Sequence, residues 1–338
     1  MRMRIYMLIA ALAVACSAAA LAAVVAEVET EGQFRELKLI GIEDGELAYS
    51  APNAPEGVQA GLDIGQVDSV VFEIEFDQVE VFQAERERKW ITAARIILKS
   101  TLPTLPFLSL PENNAVEPAF RAGELLESAA HYYYREGGDK TESAAKIYEQ
   151  ARKVLAAVAK AEWNYLAEPA ELKAIGCQVM LGELDEAEKA LAEAREPQPY
   201  DGAYGQYWLT KGRLLLAKGE ARAACNALAK VVVFDSKNVG VFPDALLLFG
   251  KSHEELTEYH RARDIYYELG RLFTRTEWGE EGIERLRYIM ENDLTADREK
   301  SNIAKVFFGI EEDMNAKSNE FLDGIDQDKE KAKEEGNQ

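Results

Sequence analysis

Between Tyr207 and Asn238, the residues Trp208, Gly212, Leu215, Gly219, Ala224, Leu228 and Val231 follow one another at steps of four, three, four, five, four and three. Residues three and four apart share one face of a helix, so a chain with this spacing buries them as two helices packed face to face. Gly212 and Ala224 are the small residues expected where the helices come closest, and Gly219 gives the turn between them its positive φ. The next segment repeats the arrangement, with Leu246, Phe249, Gly250 and His253 on a first helix and Tyr259, Ala262, Tyr266 and Leu269 on a second. The same constraint met twice in succession sets the fold class: mainly α, built from helical hairpins.

These residues resemble the tetratricopeptide repeat, a helix-turn-helix unit of about 34 residues. The likeness is clearest over residues 204–238 and 242–276. It implies an α-solenoid over residues 78–292, with the repeated alanine at Ala93, Ala144, Ala187, Ala224 and Ala262. In such repeats the first helix of each pair faces a concave groove. The resemblance therefore implies a partner-binding groove at Leu209, Arg213, Leu216, Leu247, Lys251 and Glu254. Arg213 and Lys251 occupy equivalent positions in adjacent units, where two cations would hold a carboxylate or an acidic peptide segment. Residues 262–278, with Tyr266, Leu269 and Phe273, are similar to repeats of envelope proteins that coordinate outer-membrane assembly or cell-wall synthesis.

The N-terminus reads differently. Arg2 and Arg4 precede an apolar run from Ile5 to Leu21, and small residues follow up to Ala26. That is the layout of a secretory signal peptide over residues 1–26, with cleavage after Ala26 or else after Ala22 or Ala23. A retained membrane anchor and lipidation at Cys16, which would tether the chain to a bilayer, are the alternatives. The expected location is a periplasm or an outer-membrane surface. A net charge of -21, more negative still without Arg2 and Arg4, repels phosphate backbones and argues against nucleic acid as a partner. Cys177 and Cys225 remain after cleavage. Export permits a disulfide, but the repeat register sets the two far apart, so the expectation is two buried small residues.

Residues 27–77 are expected to form a small antiparallel β domain, a sheet or an SH3-like barrel. Phe34, Leu37 and Leu39 begin an alternating stretch, Glu43-Asp44-Gly45 supplies a hairpin turn, and Leu47 to Tyr49 resume the pattern. Val58, Ala60, Leu62 and Ile64 alternate again, as do Val70, Phe72, Ile74 and Phe76. From Gln78 the period lengthens towards four, and Phe82, Trp90, Ala93, Ala94, Ile97 and Leu98 open the helical region. Pro103, Pro106 and Pro111 interrupt it with a loop whose leucines and Phe107 should pack down on the body. Trp278, Ile283, Leu286 and Ile289 fit a closing helix. Ile303, Phe307, Ile310 and Met314 begin a helical extension over residues 293–325, and residues 326–338 read as a disordered, highly charged tail.

Motifs for chemistry are absent. The three histidines include His253 and His260, seven apart across a turn, and His253-Glu254-Glu255-Leu256-Thr257 lacks the second histidine of a zinc motif. No phosphate loop, nucleophile elbow or Cys-x-x-Cys pair occurs. The sequence therefore points to a protein without cofactor, metal or small-molecule substrate: a non-catalytic periplasmic or outer-membrane-associated scaffold that binds a protein or peptide in its groove. The second reading is a structural accessory subunit of an exported enzyme, secretion or envelope-assembly complex, docked through the β domain.

Overall fold

The computed structural model describes residues 23–55, 57–295 and 314–335. They form one antiparallel five-stranded sheet at the N-terminal end and twelve helices, so the chain is mainly helical. It divides into two compact units, Met1–Ala194 and Arg195–Gln338.

The first unit opens with strands β1 (Val24–Thr30), β2 (Gln33–Glu43), β3 (Glu46–Ser50), β4 (Ala60–Asp63) and β5 (Ser69–Phe72), in the spatial order β4-β3-β2-β1-β5. Two tight hairpins drive the meander. Glu31 and Gly32 have φ of 52° and 73°, and Asp44 and Gly45 have 50° and 82°. Two consecutive left-handed residues are what a two-residue hairpin matched to strand twist requires. The turn expected at Asp44-Gly45 is therefore present.

β1 corrects two expectations at once. The sequence reading began the sheet after residue 26 and found four strands, whereas a fifth starts at Val24 and lies between β2 and β5. Ala26 and Val28 are buried, and Val24 packs against the same core. The alternation of Val24, Ala26 and Val28 is a strand signal hidden in a run of small residues that also suits a cleavage site. β5, in turn, is shorter than its alternation suggests. It stops at Phe72, whose backbone N–H and carbonyl are both bonded by the side-chain amide of Asn114, each at 2.9 Å. An amide side chain thus pairs with the strand as another peptide would. Ile74 and Phe76 leave the strand but stay packed on the core.

The buried face of the sheet shares one core with the helices that follow, and the Phe72 and Phe107 rings lie 6.2 Å apart. These helices are α1 (Gln78–Arg86), α2 (Trp90–Thr101), α3 (Val116–Glu136), α4 (Thr141–Val158), α5 (Ala167–Leu181) and α6 (Leu184–Glu193). Asp77 caps α1 by accepting from the backbone N–H of Val79 and Glu80, which satisfies two of its orphan donors. The proline-rich stretch between α2 and α3 does pack down: Phe107, Leu108 and Leu110 are buried.

The second unit contains α7 (Tyr204–Ala217), α8 (Ala221–Phe234), α9 (Phe242–Glu255), α10 (Tyr259–Leu272), α11 (Glu277–Glu291) and α12 (Met314–Glu335). Each of the two expected hairpins is built on a bare stretch of first-helix backbone. A Cβ at Gly212 would lie 2.5 Å from Leu228 Cγ, and one at Gly250 would lie 2.4 Å from Tyr266 Cε1. The large residue facing Gly212 is thus Leu228, while Ala224 is fully buried beside it. At the other end, α12 docks on the preceding hairpin. Phe321 meets Tyr267 edge-to-face with ring centroids 5.3 Å apart, Leu322 is buried, and Arg287 donates to Asp326 at 2.8 and 2.9 Å. This corrects the tail: residues 326–335, expected to be disordered, continue the helix. Their Asp, Glu, Lys and Ala include good helix formers, and docking of the preceding turns supplies the nucleus. Ile303, Phe307 and Ile310 lie outside the described residues.

Candidate functional site

The six residues assigned to a groove fall on one seam of the second unit. Leu209 and Leu247 are 3% and 0% exposed, which makes them core residues, and Leu216 is half-buried. The charged members are each paired with a residue of the next first helix. Arg213 on α7 donates to Asp244 on α9, with both side chains nearly buried. Lys251 Nζ on α9 lies 2.5 Å from Glu281 Oε1 on α11. Arg285 on α11 donates from Nε to Glu254 Oε1 at 3.0 Å and forms a second bond from its other guanidinium nitrogen. The hydrogen bonds to Glu254 hold Arg285 above its ordinary pKa. Arg213 and Lys251 therefore do not face an acidic ligand as an open pair. Their counter-ions come from the chain itself, about one repeat later.

The hairpin turn between α9 and α10 carries a second charge cluster. His253 is buried, and its Nδ1 lies 2.7 Å from Glu258 Oε2. Glu258 also accepts from Arg222 at 2.6 Å and Arg261 at 2.9 Å. Burial raises the Glu258 pKa, but the bonds from Arg222 and His253 and the charge of Arg261 outweigh it and hold the group at about 2. Burial depresses the His253 imidazole, and Glu258 offsets this only in part. His253 thus lies buried in the last turn of α9, tied to the hairpin by Glu258. Cys177 and Cys225 are both free and buried, as expected, and burial pushes the Cys225 thiol up. Among the described residues, no group of three or more His, Cys, Asp or Glu is arranged to hold a metal. No described helix is long and apolar enough to cross a membrane.

An accessible site lies instead in the first unit, where a cleft of about 470 Å³ opens beside α1. Val81 and Ile97, both buried, form its floor, and Phe76 and Pro118 stand at its sides. Phe82 lies at its mouth with 59% of its surface exposed. Arg121 clasps Glu85 at the rim, with one guanidinium nitrogen 2.6 Å from each carboxylate oxygen. Gln78 and Glu117 complete the lining, and Tyr165 reaches Glu117 through a 3.3 Å hydrogen bond. α1 makes the cleft possible because it is apolar on two sides. Val81 and Ala84 point into the core, while Val79, 64% exposed, and Phe82 form a second pair three residues apart that points out. The sequence reading gives Phe82 as one of the residues that open the helical region and does not single out this pair. A helix of nine residues with two apolar stripes was the available signal, since one stripe suffices for packing.

Comparison with protein-family models, with curated proteins and with solved structures finds no match to this chain.

Proposed function

We propose that this chain is a non-catalytic scaffold of the tetratricopeptide-repeat type, exported to a periplasm or outer-membrane surface, that holds a partner protein. A cleft among the first helices is favoured as the docking site over both modes read from the sequence, the groove of the second unit and the β domain. One observation carries this choice: the apolar cleft beside α1 is open, with Phe82 exposed in its lining, whereas the charged seam of the second unit is neutralised by its own carboxylates. One exposed aromatic residue, Phe82, beside buried apolar lining suits an anchor side chain from a partner polypeptide. The Arg121–Glu85 pair at the rim offers that polypeptide both a donor and an acceptor. The acidic balance of the chain supports a protein partner over nucleic acid.

The test is capture from envelope extracts by three folded proteins: the native chain, Phe82→Asp, and the double variant Arg213→Met with Asp244→Leu. Loss of a partner with Phe82→Asp and its retention by the double variant is the expected result. The reverse pattern would return the binding site to the seam, and no difference among the three would remove both sites from consideration.

A further inference from the structure

The sequence leaves three places at which a leader could be cut, after Ala22, Ala23 or Ala26, and β1 discriminates among them. β1 is an interior strand, bonded to β2 on one side and β5 on the other. Its pairing with β2 runs from Val24↔Leu39 to Thr30↔Gln33, and its pairing with β5 from Ala26↔Phe72 to Glu29↔Ser69. A chain beginning at Glu27 would lack the rungs of Val24, Val25 and Ala26, close to half of the β2 ladder. It would vacate the buried place of Ala26, which is 3% exposed and lies opposite Leu37 and Phe72. It would also set a charged α-ammonium group in the middle of the sheet beside those two buried side chains, where desolvation is costly.

From these observations we infer that the leader is cut after Ala22, upstream of β1, and not after Ala26; this rests on the export reading given above. Cleavage after Ala22 places alanines at both small-residue positions of the cut, Ala20 and Ala22. Cleavage after Ala23 would place the larger Leu21 at the first of them. The reaction is hydrolysis of the Ala22–Ala23 peptide bond by a leader peptidase of the exporting cell. Water supplies the hydroxyl of the new Ala22 carboxyl group and a proton to the new amine of Ala23. The mature chain then begins one residue before the strand, and every rung of β1 survives.

The full chain, produced in a bacterium with a working export pathway, is recovered from cytosolic and envelope fractions, and its N-terminus is read by sequencing and intact mass. The expected N-terminus is Ala23. An N-terminus at Glu27, or an acylated one at Cys16, would overturn the inference while leaving export intact. An unprocessed chain confined to the cytosol would overturn it together with the export reading. Independently, chains made without a leader and starting at Ala23 or Glu27 are compared by urea unfolding of the first unit. A lower midpoint for the Glu27 chain is expected, and equal midpoints would remove the structural basis of the inference.

Discussion

The hairpins α7/α8 and α9/α10 keep the same register, yet their interiors are filled differently. Gly212 lies under Leu228 in the first, and Gly250 lies under Tyr266 in the second. The turns also match bond for bond. Glu220 donates to the carbonyl of Leu215, and Glu258 donates to that of His253, both at 2.8 Å. But the left-handed residue of the turn is Gly219 in one hairpin and Thr257, with φ of 57°, in the other. The cation facing the next repeat is Arg213 in the first and Lys251 in the second. What is held constant is therefore the geometry of two close backbones and a charge tie to the following helix. Side-chain volume and the ease of the turn vary around it.

This comparison can be broken most forcefully at the buried ring. Tyr266→Ala should destabilise the second unit by roughly 3–5 kcal/mol, as for other large aromatic truncations in a core, and Leu228→Ala by roughly 2–5 kcal/mol. Urea unfolding of the two variants measures both. Equal losses would mean that the repeats are packed alike despite the difference in volume.

The charge ties come next. Arg213→Met leaves Asp244 nearly buried without its counter-ion and should cost about 3–5 kcal/mol, whereas adding Asp244→Leu should return most of that loss. Lys251→Met should cost less, roughly 1–3 kcal/mol, because the Lys251 side chain is about one-third exposed, although Glu281 is left nearly buried without it. If the double variant at Arg213 and Asp244 stays as unstable as the single one, the tie does more than neutralise charge.

Acid titration separates the hairpins in another way. Glu258 has a folded pKa of about 2 against an ordinary 4.5. The unfolded chain therefore binds a proton first as pH falls, and the contribution of this group, present above pH 4.5, is lost between there and about pH 2. Glu258→Gln should flatten that part of the stability profile, and an unchanged profile would show that other carboxylates set the acid limit.

The turns should respond in opposite directions, and the smallest effect is that of Thr257. Thr257→Gly should stabilise by no more than about 1.5 kcal/mol, because relief of roughly 1–2 kcal/mol of left-handed strain is offset by about 0.5–1 kcal/mol of added unfolded-state freedom. Gly219→Thr should destabilise by about 1–3 kcal/mol. Thermal melting of the pair would show whether the two turns are interchangeable.

The sequence disclosed those features whose cause is local. Gly212, Gly250 and Gly219 are visible as small residues at fixed spacing, and Asp44-Gly45 as a turn between alternating stretches. The counter-ions of Arg213 and Lys251 were not visible, since each lies about thirty residues away on another helix and many acids were available. The cleft was hidden for the same reason, being assembled from the segment after β5, α1, α2 and the start of α3. β1 was obscured because its small apolar residues serve equally well as a strand and as the end of a leader. The last helix was obscured because charge density suggests solvation, and its contacts with Tyr267, Arg287 and Arg263 show why it is ordered.

The placement of β5 bears on the order in which the sheet can form. β1 to β4 meet through short-range connections and can zip within microseconds of one another, as hairpins do. β5 reaches β1 only by closing a loop of about forty residues, as in the bond from Ser69 Oγ to Glu29 Oε2, and the Asn114 bonds to Phe72 span a similar length. Closure on that scale is entropically slower than hairpin formation. Until it happens, β1 is an edge strand with its outer row of N–H and carbonyl groups unpaired, open to pairing with any other extended chain. A newly made chain is thus most exposed to strand-swapped or aggregated states in the interval before residues 69–72 have been synthesised and brought back onto β1.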